Sequence, residues 1–176
     1  METEGRTRGI SLWLTPPEGH VRELLTRHME SFAAACGGPR FPPHVTLLGE
    51  LAGAPDATLA AAGRVARAVG RVEIALVSAS GDDRYFRAVA LEAGSTESLL
   101  AARRFARRTF GLQGMDVYAP HLALAYGRVP AGTRASLVRG AEEVLPLRFS
   151  AASLEVVKTE GTPREWRRLA VIALAG

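Results

Sequence analysis

The stretch FPPHVTLLGE, residues 41–50, sets a histidine between a proline pair and a run that reads as a buried strand, and a second stretch, YAPHLALAYG at 118–127, repeats the arrangement. The two align as Pro43-His44-Val45-Thr46-Leu47 and Pro120-His121-Leu122-Ala123-Leu124, an offset of 77 residues (43 to 120). Side chains alternate faces along a strand, so His44 shares a face with Thr46, and His121 with Ala123. A single His-x-Thr carries little weight, because a histidine beside a proline is usually a satisfied edge or core residue. Two copies in matching contexts point instead to a pair of imidazoles presented together.

Working outward, each copy lies between helical patterns. Val21, Leu24, Leu25, His28, Met29 and Phe32 fall at helical spacing before the first, and Gly-Gly-Pro at 37–39 ends that helix. A helix with Asp56 as N-cap is expected through Val69, and another from Ser95 to Phe110. A fourth is expected over about 131–144. Strands are expected at 8–16, with Ile10, Leu12 and Leu14 alternating with Ser11 and Trp13, and at 44–51 and 118–128. Two more flank a Gly-Asp-Asp turn within 71–93. LRFSAASLEVVK (147–158) and REWRRLAVIAL (164–174) read as two closing strands. The offset is too long for a solenoid, whose period is about 20–50 residues. It suits two similar lobes, so the expected fold is α+β: one domain over 1–176, built from two pseudo-symmetric lobes whose mostly antiparallel sheets face a central cleft, with helices outside.

Composition sets the bounds. The chain has 176 residues, 47% hydrophobic and 23% charged, as in an ordinary globular domain. Cys36 is the one cysteine, which rules out an internal disulfide and fits a reducing cytoplasm. The first residues lack the apolar run of a signal peptide, and no stretch is long enough to cross a bilayer. The net charge of +4 is nearly all arginine; it suits an anionic ligand without demanding one. Neither Cys-x-x-Cys nor His-Glu-x-x-His occurs, so no metal site is expected. The absence of a Gly-x-x-x-x-Gly-Lys-[Ser/Thr] loop argues against ATP use. Arg103, Arg104, Arg107 and Arg108 in RRFARR read as a solvated helix face, and Trp13, Tyr85 and Phe86 read as core.

Two histidines across a cleft suit phosphate-ester chemistry. A neutral imidazole takes a proton from water while a protonated one gives a proton to the departing alkoxide, and an unperturbed pKa near neutrality serves both roles. A hydroxyl two residues along can stabilise charge on a non-bridging phosphate oxygen.

These motifs resemble those of the two-histidine phosphoesterase superfamily, and more narrowly the cyclic phosphodiesterases of the plant and yeast type. SLWLTPP (11–17) resembles that family's opening strand, GPRFPPHVTLL (38–48) its first motif and PHLALAYG (120–127) its second. VVKTEGTPREWRRLAVIAL (156–174) resembles its closing strands. The resemblance implies a bilobal fold and hydrolysis, without cofactor or metal, of nucleoside 2′,3′-cyclic phosphates to 2′-phosphates, or of ADP-ribose 1″,2″-cyclic phosphate. It implies His121 as activator of water and His44 as donor to the leaving oxygen, an order the sequence leaves open. Thr46, Tyr126 and Trp166 become substrate-binding candidates, and Arg40 joins them as a loop cation four residues before His44. Tyr126 lies an odd number of residues from His121, so it reaches the cleft only if the strand bulges or ends early.

One position departs from the pattern: Ala123 stands where the family has Ser or Thr. The lost hydrogen bond to a charged group is worth about 1.5–3 kcal/mol, or roughly tenfold to hundredfold in rate. A weakened or re-specialised enzyme is therefore expected, with Arg40, Arg87 or a water as replacement donor. Two alternatives stand beside it. One is a 2′–5′ RNA ligase-like enzyme acting on RNA 2′,3′-cyclic ends; the other is a nucleotide-phosphate binding protein. The expected partner is a small cyclic nucleotide or an RNA terminus, with no role for a membrane or double-stranded DNA, and the protein is expected to be a monomer.

Overall fold

The computed structural model describes residues 5–115 and 117–175. Among these, eight strands form one antiparallel sheet, flanked by four helices. In chain order the elements are β1 (Ile10–Leu14), α1 (His20–Cys36), β2 (Val45–Leu51), α2 (Pro55–Ala68), β3 (Val72–Ser80), β4 (Val89–Ala93), α3 (Glu97–Thr109), β5 (His121–Ala125), α4 (Ala131–Glu142), β6 (Leu147–Ala151), β7 (Ser153–Lys158) and β8 (Arg167–Ala173). The sheet order is β6-β3-β4-β5-β2-β1-β7-β8. The fold is the expected α+β, and the two expected sheets are the two halves of this continuous one. They meet at β2 and β5, which share the pair Val45↔Leu122. That seam joins the two histidine motifs.

The periodicities explain the layers. Leu12, Leu14, Val45, Leu47, Leu122, Leu124, Leu91, Leu154 and Val156 alternate onto one face and are almost fully buried. Leu25, Met29, Phe32 and Ala33 are the buried stripe of α1, and Leu99, Ala102 and Ala106 that of α3. Gly37 takes φ 66° at the end of α1, a left-handed cap that glycine adopts without a Cβ clash. At Gly38 a Cβ would collide with the Tyr126 backbone oxygen, so only glycine lets this loop lie against the residue that follows β5.

Several expected boundaries move. The helix expected to start at Asp56 is capped by Ala54 with Pro55 at its first position, a place where proline's missing N–H costs nothing. Thr96, not Ser95, caps α3, accepting the Leu99 N–H. The Gly-Asp-Asp hairpin is a longer connection containing a 3₁₀ turn at Tyr85–Arg87. LRFSAASLEVVK is two strands, not one: β6 pairs with β3, and β7 with β1 and β8. Ala152 alone separates them, although they lie far apart in strand order, so the sheet must curl strongly. Arg103 is half-buried, not solvated: it bonds the Leu47 carbonyl and lies 4.3 Å over the Tyr118 ring.

Candidate active site

Pro43 and Pro120 precede the two histidines at the seam. Around Val45↔Leu122, antiparallel pairing sets His44 towards Ala123 and Thr46 towards His121. All four lie on the face opposite the buried Val45 and Leu122. The same geometry binds both rings to their own backbones. His44 Nδ1 lies 2.7 Å from the Pro42 carbonyl and His121 Nδ1 lies 3.0 Å from the Ala119 carbonyl, in each case two residues back. A carbonyl only accepts, so each Nδ1 carries the proton and donates it, and each Nε2 is left as a base.

The two imidazoles differ in surroundings. His44 is buried, and its ring lies flat on Trp13, with centroids 3.7 Å apart and planes 13° apart. Burial pushes its pKa from 6.5 down to about 4; the Pro42 bond opposes that shift, and nearby His121 adds to it. His121 is half-exposed and its pKa is also lowered, by desolvation first and then by Arg87 among the charges. Both rings are therefore neutral in the free protein at pH 7. Arg87 Nη1 stands 3.4 Å from His121 Nδ1, while its Nη2 holds both oxygens of Glu92 at 2.6 Å. Glu92 is the ladder partner of His121 and also accepts from Ser80. Of the two arginines offered from sequence as replacement donors, Arg87 thus sits beside the second histidine, while Arg40 pairs with Glu30.

An aromatic wall runs from His44 across the mouth of the site. Trp13 meets Trp166 at 5.6 Å, and Phe41 stacks on Tyr126 at 3.6 Å. Phe86 packs on Tyr126 and on Trp166 at 5.1 and 6.0 Å. Trp166 also donates its Nε1–H to Thr7 Oγ1. Because β5 ends at Ala125, Tyr126 escapes strict alternation and joins this wall; burial raises its phenol pKa. Beside the wall is a cavity of about 320 Å³, lined by Trp13, Phe41, Glu155, Trp166 and Arg168 among others. Arg40 is exposed at its rim and pairs with Glu30 at 3.7 Å. Thr46 is half-buried at the seam, its carbonyl accepting from the Tyr118 hydroxyl at 3.0 Å.

Sequence reasoning placed Trp13 and Phe86 in the core and did not weigh Glu92 or Glu155. The signal for Trp13 was present: it alternates with Leu12 and Leu14, so it had to face the other way, as His44 does. Glu155 alternates with Leu154 and Val156 in the same manner. Phe86 and Arg87 carry no such signal, because the turn that delivers them has no period.

No curated protein matches the sequence. The chain resembles in shape the solved structure of TT0787 from Thermus thermophilus, with TM-score 0.63 and 21% identity, covering 95% of this chain and 98% of that one. Escherichia coli LigT in its apo form gives TM-score 0.61 at 16% identity, covering 97% and 98%. LigT complexed with 3′-AMP gives 0.59 at 14% identity, covering 97% and 99%. Among the described residues no helix is long and apolar enough to cross a membrane. The family described as cyclic phosphodiesterase-like protein matches residues 8–174. The chain belongs to the cyclic phosphodiesterase-like family, within the two-histidine phosphoesterase superfamily.

Proposed function

We propose that this protein hydrolyses cyclic phosphodiesters without a metal, converting nucleoside 2′,3′-cyclic phosphates to 2′-phosphates or opening ADP-ribose 1″,2″-cyclic phosphate. One observation carries the reading: two imidazoles on one face of facing strands, each locked by an Nδ1–H···O=C bond that leaves Nε2 free. In the proposed reaction His121 Nε2 takes a proton from water as its oxygen attacks phosphorus. The P–O3′ bond breaks, and His44 Nε2–H gives its proton to the departing oxygen. Thr46 donates to a non-bridging oxygen, and Arg87 supplies a cationic donor in place of the hydroxyl absent at Ala123.

Burial holds His44 near pKa 4, so it is an acid only once a counter-charge arrives. The phosphodiester anion is that counter-charge; a nearby negative group raises the affinity of an imidazole for a proton. The acid is therefore charged together with the substrate.

A second reading, action on RNA ends, is favoured by one feature. A cavity of about 860 Å³ adjoins Trp166 on the other side and is lined by Arg6, Lys158, Arg164 and Arg167 together with Glu160 and Glu165. Such a surface suits a polyanion longer than a mononucleotide.

The test is product analysis on 2′,3′-cyclic mononucleotides and on an RNA carrying a 2′,3′-cyclic end, with chelator present throughout. Turnover to a 2′-phosphate is expected, with His44→Ala and His121→Ala each losing about 10²–10⁴-fold. A marked preference for the RNA would favour the second reading. Tight product binding without turnover would leave a nucleotide-phosphate binding protein.

A further inference from the structure

Glu155 is a buried carboxylate with little of its acceptor capacity used. It is 4% exposed and faces Trp13 across the β1–β7 ladder. Thr15 Oγ1 donates to one oxygen at 3.2 Å. The other oxygen stands 3.7 Å from Arg168 Nη1, too far for a hydrogen bond. An ionised carboxylate has about four acceptor sites, and those of Glu155 that Thr15 leaves unused are open to the cavity it lines.

The surroundings say what would fill them. Glu155 lines the cavity of about 320 Å³ with Trp13, Phe41, Trp166 and Arg168, within the usual range for small-molecule sites, about 300–1,000 Å³. Flat aromatic walls suit a planar heterocycle. A carboxylate at their edge selects a heterocycle that offers two adjacent N–H donors. Among the common nucleobases only guanine does so, through N1–H and the 2-amino group. Adenine and cytosine present a ring acceptor beside their amino group, which a carboxylate repels, and uracil flanks a single N–H with two carbonyls. Arg168 adds a cation for O6, the acceptor on the same edge of guanine.

We propose that this cavity is a guanine subsite in which Glu155 accepts N1–H and N2–H and Arg168 donates to O6. Trp13 ties the subsite to the chemistry, since it lines the cavity and also lies flat on His44. The inference rests on the cyclic-nucleotide reading for the phosphate, and on the cavity alone for the base.

The experiment measures kcat/KM for guanosine, adenosine, cytidine and uridine 2′,3′-cyclic phosphates with the wild-type protein and with Glu155→Gln. Guanosine is expected to exceed adenosine by at least about tenfold, as the loss of one bond to a charged group implies. In Glu155→Gln that ratio should collapse, whereas a merely structural Glu155 would slow all four substrates together and leave the ratio intact. Equal rates on all bases, or a preference that survives Glu155→Gln, overturn the subsite while cyclic hydrolysis stands. If nothing is turned over, the hydrolytic reading has failed, and calorimetry with guanosine and adenosine 2′-phosphates decides the subsite. Tighter guanosine binding keeps it; equal or absent binding ends it.

Discussion

Trp13 lies flat on His44, with ring centroids 3.7 Å apart. The stack closes one face of the imidazole while the Pro42 carbonyl holds its Nδ1 at 2.7 Å. The ring is fixed in direction and cut off from water, which disfavours its charged form. The stack also links the reacting group to the cavity beyond it, because the same indole lines both.

Acid stability should therefore carry the signature of His44. Its pKa falls from 6.5 to about 4 on folding, so between those values the unfolded chain binds the proton more tightly. Stability from this group is complete above pH 6.5 and is lost as pH falls towards 4. At 1.36 kcal/mol per unit the loss is about 3 kcal/mol. Urea unfolding of wild type and His44→Gln at pH 7, 5.5 and 4 tests it. Other titrating groups cancel in the comparison, so the wild-type advantage should shrink by about that amount across the window. A constant difference would mean that His44 is not buried in its neutral form.

Ligand binding should load a proton. Both histidines are neutral in the free protein, and a phosphate placed between their Nε2 atoms reverses the penalty that keeps His44 so. Calorimetry of a nucleoside 2′-phosphate at pH 7, in buffers of different ionisation enthalpy, should show net proton uptake. The uptake should fall in His44→Gln, which separates the imidazole from the ligand's own phosphate titration. Equal uptake in the two proteins would remove His44 from the proposed acid role.

Removing the indole should act on chemistry and stability together. Trp13 is 3% exposed, and a buried Trp→Ala change costs about 3–5 kcal/mol. Trp13→Leu keeps more volume and opens the imidazole face. Its His44 resonances in NMR should titrate closer to the ordinary value of 6.5. An unmoved titration would show that the surrounding strands, not Trp13, desolvate the ring.

The motif pair and the sheet-forming alternation made the centre of the fold legible in the sequence. His44 and His121 stand at strand starts because the proline just before each holds its own predecessor, Pro42 or Ala119, in extended backbone, and the residues that follow alternate. What the pattern could not convey was how the halves meet. The Val45↔Leu122 pair is a long-range contact, and so is the separation of β6 from β7 across Ala152. Residue type alone reads Trp13, Tyr85 and Phe86 as core, whereas Trp13 is buried against a site and not within the apolar layer. Arg87 escaped pattern entirely: it rides on a turn, and only the Glu92 ladder position opposite His121 explains where its guanidinium goes.

Ala123 and Arg87 offer the sharpest test of how this chain departs from the motif it resembles. Ala123 is 4% exposed, lies beside Ala90 of β4, and shares the seam face with both histidines. Arg87 enters from the turn before β4 and spends Nη2 on Glu92, leaving Nη1 beside His121. If Arg87 replaces the missing hydroxyl, then Arg87→Lys, which keeps the charge but loses the planar fork, should cut kcat/KM about tenfold to hundredfold. Ala123→Ser alone should then gain little, since the phosphate oxygen already has its donor. In the Arg87→Lys background the same serine should recover most of the loss, a coupling that a double-mutant cycle reads directly. Strict additivity, with Ala123→Ser raising the wild-type rate by the full tenfold or more, would show the hydroxyl's place unfilled and Arg87 serving only to hold Glu92.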